Sequence, residues 1–132
     1  MHRRIVLAGV ALALGLAVPA GVLAGPATGS GFTGRWESVD FDGSHQTLVV
    51  SAGARPSVVY QDFYASGCDT FGGPATHWVA AGKGSVEGDT LFVAFHKSGC
   101  GTFGHGGYED VYLYDASLDT VSDLFGIVWT RA

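Results

Sequence analysis

The chain has 132 residues, of which 47% are hydrophobic and 21 are glycine, and its net charge at neutral pH is −5. That acidic balance argues against nucleic acid and anionic membrane surfaces as partners, because both are bound through basic patches. The length is that of one small domain, and a sequence without asparagine has no acceptor for N-glycosylation.

The first stretch, "MHRRIVLAGVALALGLAVPAGVLAG", reads as a targeting segment. His2, Arg3 and Arg4 form a basic start, Ile5 to Val18 is an uncharged apolar run, and "VLA" before Gly25 suits signal peptidase. The run falls short of the ~20 residues of a comfortable membrane span. The expectation is a secretion signal over residues 1–24, cleaved near Ala24, a secreted (extracellular) protein and no membrane partner. Residues 25–31 read as a flexible lead-in and 32–132 as a single β-barrel domain. Loss of Arg3 and Arg4 leaves five basic residues against twelve acidic ones, a net charge of −7.

Downstream, β-branched and aromatic runs alternate with turn signals and no helical period appears. Strands are predicted near Gly34–Phe41, Gln46–Ser51, Ser57–Tyr64, Thr76–Val86, Thr90–Lys97, Tyr108–Tyr114, Thr120–Leu124 and Ile127–Arg131. The fold class is therefore all-β: an antiparallel up-and-down meander of about eight strands, closed or nearly closed into a small barrel. In the fourth strand Trp78, Ala80, Gly82, Gly84 and Val86 alternate with a face that turns polar, and small inward residues suit a tight barrel. The fifth and sixth strands carry large apolar residues on both faces. Phe92, Tyr112 and Tyr114 are expected as outer aromatics, covering a flank or meeting a partner.

Short turns at "DGS" (Asp42 to Ser44), "AGARP" (Ala52 to Pro56), "EGD" (Glu87 to Asp89) and "DASLD" (Asp115 to Asp119) join the strands. Two longer loops contain a near repeat, "SGCDTFGG" from Ser66 and "SGCGTFGH" from Ser98. Alternate connections of a meander share an end, so both loops fall at one end of the sheet, with the first turn and the last bend. Cys68 and Cys100 are the only cysteines. An even count in an exported chain favours a disulfide, and here it ties the two loops tip to tip.

"TGRW" (Thr33 to Trp36) opens the first strand and "WTRA" (Trp129 to Ala132) closes the last. This resembles the calycin pattern of lipocalin- and avidin-like barrels, in which G-x-W starts the first strand and a late arginine packs over its tryptophan. By position Gly34 and Trp36 match the first element and Arg131 the second, a structural signature at the barrel seam. The chain also resembles uncharacterised secreted bacterial domains with G-x-W, "DGS", "GDTL" and a closing FGxxWTR. Neither resemblance transfers ligand-binding residues, since the biotin-contacting pattern of avidins is not recognisable.

Candidate chemistry is sparse. His45, His77, His96 and His105 fall near the loop end with Asp42 and Asp69, yet no pair has ligand spacing, so no metal and no cofactor are expected. Ser44–His45 lacks an orienting third group, and Glu109–Asp110 reads as a solvated edge because adjacent strand residues face opposite ways. No catalytic residue is assigned and the protein is expected not to be an enzyme. Phe71 and Phe103 occupy equivalent places in the two repeats. With Tyr64, His45 and His105 they form the candidate binding surface, as an aromatic pincer; the alternative is that they fold inward and plug the barrel end. The resulting expectation is a non-catalytic binding protein recognising a small apolar or sugar ligand at its loop end. The alternative is a protein-binding module with a filled barrel, such as a secreted inhibitor or adhesion domain meeting an extracellular protein through loop tips and exposed tyrosines.

Overall fold

The computed structural model describes residues 30–63, 68, 77–101 and 104–132. Among these residues, eight antiparallel strands follow one another in chain order and close into a barrel. They are β1 (Gly34–Val39), β2 (His45–Val50), β3 (Ser57–Phe63), β4 (His77–Glu87), β5 (Thr90–Cys100), β6 (Tyr108–Asp115), β7 (Thr120–Asp123) and β8 (Val128–Arg131). The seam is β1 against β8, with Trp36 opposite Arg131 and Glu37 opposite Thr130. The signal and lead-in predicted over residues 1–29 lie outside the described residues.

Period-2 patterning decides what faces in. Trp36, Leu48, Val58, Leu91, Val93, Phe95, Tyr112, Val121 and Trp129 fill the interior, each contributing roughly 1.5–3 kcal/mol on removal from water. In β4, Ala80, Gly82 and Gly84 are buried while Lys83, Ser85 and Glu87 are exposed, because successive strand residues face opposite sides of the wall. A Cβ on Gly82 would collide with the Ala94 carbonyl oxygen. This close approach accompanies a bulge, where Ala81 faces Lys97 but Gly82 faces Phe95. His96 is the extra residue, which is why His96 and Lys97 are exposed in succession.

Two expectations are corrected. The fifth strand does not end at Lys97: beyond the bulge it continues, with Ser98 on Ala80, Gly99 on Val79 and Cys100 on Trp78. Ser98 is buried and donates from Oγ to the Gly106 carbonyl at 2.7 Å. Cys100 therefore sits on a strand end rather than a loop tip. The second correction concerns β6. Tyr112 pairs with inward-facing Leu91 and is itself only 1% exposed, while Leu113 is 45% exposed. The tyrosine face is the inner one and the outer face of β6 carries Val111 and Leu113 between Glu109 and Asp115; of the three expected outer aromatics only Phe92 faces out.

One end of the barrel is closed. Phe32 and Pro56 are buried beneath it, and the Trp36 indole Nε1 donates to the Phe32 carbonyl at 2.8 Å. Arg131 reaches over the same region, donating from Nη1 to the Thr33 carbonyl and from Nη2 to the Gly31 carbonyl at 2.9 and 3.0 Å. Gly34 has φ +132°, and a Cβ there would stand 2.9 Å from Arg131 Nη1, so a side chain is disfavoured twice over. The opposite end carries the β1–β2, β3–β4, β5–β6 and β7–β8 connections.

Candidate functional site at the barrel mouth

Towards that opposite end the inward positions change character. Gln46 on β2, Tyr60 and Asp62 on β3, Trp78 on β4 and Tyr108 and Asp110 on β6 continue the inner faces whose deeper positions are aliphatic. Together with Tyr112, Trp129, Asp123, Ile127 and the turn residues Asp40, Phe41 and Phe125, all but Asp62 line a recess of about 360 Å³. That volume lies at the lower end of the ~300–1,000 Å³ typical of small-molecule sites.

The walls are aromatic. Trp78 and Tyr108 have centroids 6.5 Å apart, Tyr108 and Phe95 4.9 Å, Phe95 and Tyr60 6.5 Å, Tyr60 and Trp129 5.9 Å, and Trp129 and Tyr112 6.2 Å. Such a chain of tilted and edge-on rings holds each member in place. The polar groups are held less completely. Gln46 donates from Nε2 to the Tyr60 hydroxyl at 3.0 Å, which donates to Asp62 Oδ2 at 3.3 Å. Gln46 is 3% exposed and Trp129 1% exposed, yet Gln46 Oε1 and Trp129 Nε1 have no hydrogen-bond partner. Leaving a buried polar atom unpaired costs roughly 1–3 kcal/mol, so the mouth holds groups that the chain itself does not satisfy.

The recess is also an acidic place. Burial raises the Asp62 carboxyl above its ordinary range, the nearby polar side chains of Ser44 and Gln46 oppose it, and Asp40 and Asp42 add repulsion. Burial likewise raises Asp110, opposed by the Val111 N–H and the Tyr112 hydroxyl and reinforced by Asp123. Among the tyrosines, burial pushes Tyr108 up to about 12 and holds Tyr60 and Tyr112 well above their usual range. Asp123 is committed to its own turn, with Oδ1 accepting from the Phe125 and Ile127 backbone N–H groups at 2.9 and 3.0 Å. The solvated-edge reading of Glu109–Asp110 therefore holds for exposed Glu109 alone, since Asp110 turns into the barrel.

A side window opens beside the mouth. β7 pairs with β6 only from Tyr112 to Asp115, leaving Tyr108 to Val111 flanked by the β7–β8 turn. There a recess of about 310 Å³, lined by Tyr108 to Val111 with Leu124 and Phe125, shares Tyr108, Asp110 and Phe125 with the main one. A larger depression of about 670 Å³ lies on the outer wall, between the β4–β5 face and β6 near Arg55 and Lys83. It has none of the buried unpartnered atoms, so the mouth is the better-built site.

Of the residues singled out from sequence, Tyr64, Phe71, Phe103 and Asp69 lie outside the described residues. His45 is exposed at the start of β2, opposite Phe63. His105 is exposed and stands 5.6 Å from the Trp78 ring, and half-buried His77 stacks on Phe63 at 5.2 Å. His96 is on the outer wall at the bulge. Among the described residues no three His, Cys, Asp or Glu side chains gather as a metal site. Cys68 and Cys100 are bonded, with Cα atoms 5.5 Å apart, and Cys68 is fully buried. Arg131 places its guanidinium carbon 4.1 Å from the Trp36 ring centroid.

The residues missed at the sequence level are Gln46, Tyr60, Asp62, Tyr108 and Asp110. One signal was available: in "YEDVYLYD", Asp110 shares its period-2 face with three tyrosines, a lone carboxylate on an otherwise aromatic face. Compared with models of protein families, with curated proteins and with solved structures, the chain matches none.

Proposed function

We propose that this chain is a secreted, non-catalytic binding protein whose disulfide-tied barrel takes a small ligand into its mouth. The carrying observation is the pair of buried, unpartnered polar atoms, Gln46 Oε1 and Trp129 Nε1, facing an aromatic recess of about 360 Å³. Small-molecule sites commonly have this form: apolar walls with a few convergent polar groups that fix orientation. Export is supported by the basic–apolar–small pattern of residues 1–24 and by a disulfide, which persists in oxidising compartments. The calycin resemblance is part of the same proposal, supported by the Trp36–Arg131 stack at the seam.

A second reading keeps one specific observation. Phe41 and Phe125, on the rim, are 82% and 76% exposed, and exposed aromatics suit an extracellular protein partner. The discriminating experiment is native mass spectrometry of the protein taken directly from culture medium. A non-covalent adduct of a few hundred daltons, lost on denaturation, is the result expected of a small-ligand carrier. A bare chain that instead captures a secreted protein through Phe41 and Phe125 would transfer the function to the second reading.

A further inference from the structure

Resting on the small-ligand reading, we propose that the mouth selects an organic cation: a small ammonium compound with an apolar or aromatic body. The argument begins with charge. Asp40, Asp110 and Asp123 line the recess and no Lys, Arg or His does. Residues 64–67, 69–76 and 102–103, which lie outside the described residues, contain no Lys, Arg or His in sequence. Asp123 adds to the raising of the Asp110 carboxyl, as Asp40 and Asp42 add to that of Asp62. Like charges held together at the edge of a low-dielectric space are costly unless a positive charge joins them.

Two independent features point the same way. Gln46 Oε1 is a buried acceptor without a donor, and an ammonium N–H is the donor it lacks. The aromatic walls present π-faces, which attract a cation within ~6 Å of a ring centroid. A metal ion fits less well, since no three ligating side chains converge among the described residues. A carboxylate ligand would be repelled by Asp40, Asp110 and Asp123. Trp129 Nε1, a donor without an acceptor, leaves room for a hydroxyl or ether oxygen on the ligand's body.

The test compares three probes of nearly equal shape on the mature protein: 2-phenylethylammonium, 2-phenylethanol and phenylacetate. Trp78 and Trp129 line the recess, so tryptophan fluorescence reads occupancy, with calorimetry as a second readout. The cation should bind about tenfold or more tighter than the alcohol, and phenylacetate weakest. Asp110→Asn, which is isosteric, should remove most of that preference, read as the ratio of cation to alcohol affinity in the variant against the same ratio in wild type. Circular dichroism and thermal melting check that the variant is folded, and the wild-type comparison stands without any variant. Equal affinity for cation and alcohol, or preference for phenylacetate, would overturn the cation inference while leaving the recess a ligand site. Should no probe bind at millimolar concentration, the cation inference falls. The adduct on the exported protein then decides separately whether the recess holds a ligand at all.

Discussion

The Arg131 guanidinium lies over the Trp36 ring with its carbon 4.1 Å from the centroid, while its fork grips Asp119 through Nε and Nη2, each at 2.8 Å. One side chain thus binds the first strand, the last strand and the β6–β7 turn. Asp119 adopts φ +48°, a conformation uncommon outside glycine, and also accepts from the Tyr114 hydroxyl at 3.0 Å. The hydrogen bonds to Arg131 and Tyr114 hold the Asp119 carboxyl below its ordinary range. All of this sits at the closed end of the barrel. The contacts that join the first strand, the last strand and the β6–β7 turn are thus gathered at the end opposite the recess.

Arg131→Ala should therefore destabilise the fold by about 2 kcal/mol, combining a partly desolvated cation–π contact with a surface ion pair and two backbone acceptors. Arg131→Lys should recover less than half, because an ammonium cannot grip a carboxylate with two parallel bonds while stacking on an indole. Urea unfolding followed by tryptophan fluorescence measures both. A Lys variant equal to wild type would show that charge alone matters at the seam.

The Cys68–Cys100 bond closes a 32-residue separation. Chain entropy assigns such a loop about 3–4 kcal/mol, a large share of a small domain's stability. Cys68→Ser with Cys100→Ser should lower the melting temperature by roughly 10 °C or more. Because Cys100 belongs to β5 and pairs with Trp78, the probes of the mouth should also lose affinity. Unchanged binding in a protein that melts early would confine the bond's role to stability.

Asp62 gives a pH dependence with a definite sign. Burial raises its folded-state carboxyl above the ordinary value of 3.8, so the folded protein holds the proton more tightly than the unfolded chain. Stability from this group is fully present below that ordinary value and is lost as pH rises through the raised one. Asp62→Asn removes the loss, and the Tyr60 hydroxyl can donate to the amide oxygen instead. The variant should melt above wild type at neutral pH, with the difference shrinking towards zero as pH falls below 3.8. Asp40, Asp42, Asp110, Tyr60 and Tyr108 share this field, so the comparison is read as variant minus wild type at each pH. A neutral-pH melting temperature below wild type would mean that ionised Asp62 makes a stabilising contact.

Most of the barrel was legible because alternation and turn chemistry are local. Gly34, Gln46, Ser57, Thr90, Tyr108 and Thr120 each fall within one residue of an observed strand start. The errors arose where one strand's meaning depended on another. β5 runs past Lys97 because a bulge at His96 resets its period, and Gly82 on β4 makes room for it. The inner face of β6 was ambiguous, with Val111 and Leu113 set against Tyr112 and Tyr114. Pairing with Leu91 settles it, but that register emerges only when the hairpin is built. The mouth was hidden for the same reason: Gln46, Tyr60, Asp110 and Trp129 come from four strands, and only closure brings them to one recess.

The rim offers a test of whether that recess is used. Phe41 and Phe125 are 82% and 76% exposed and lie on the β1–β2 and β7–β8 turns, both lining the mouth. Neither is part of the core, so Phe41→Ser and Phe125→Ser should shift stability by less than about 0.5 kcal/mol. Both border the same recess, and a ligand entering it would cover part of each. Each substitution should weaken the 2-phenylethylammonium probe by about threefold to tenfold, with the Phe125 change larger because Phe125 borders the side window as well. Fluorescence titration at constant pH measures the affinity and urea unfolding the stability. Full affinity in both variants would place the bound probe deeper, against Trp129 and Tyr112, and assign the exposed rim to a protein partner instead.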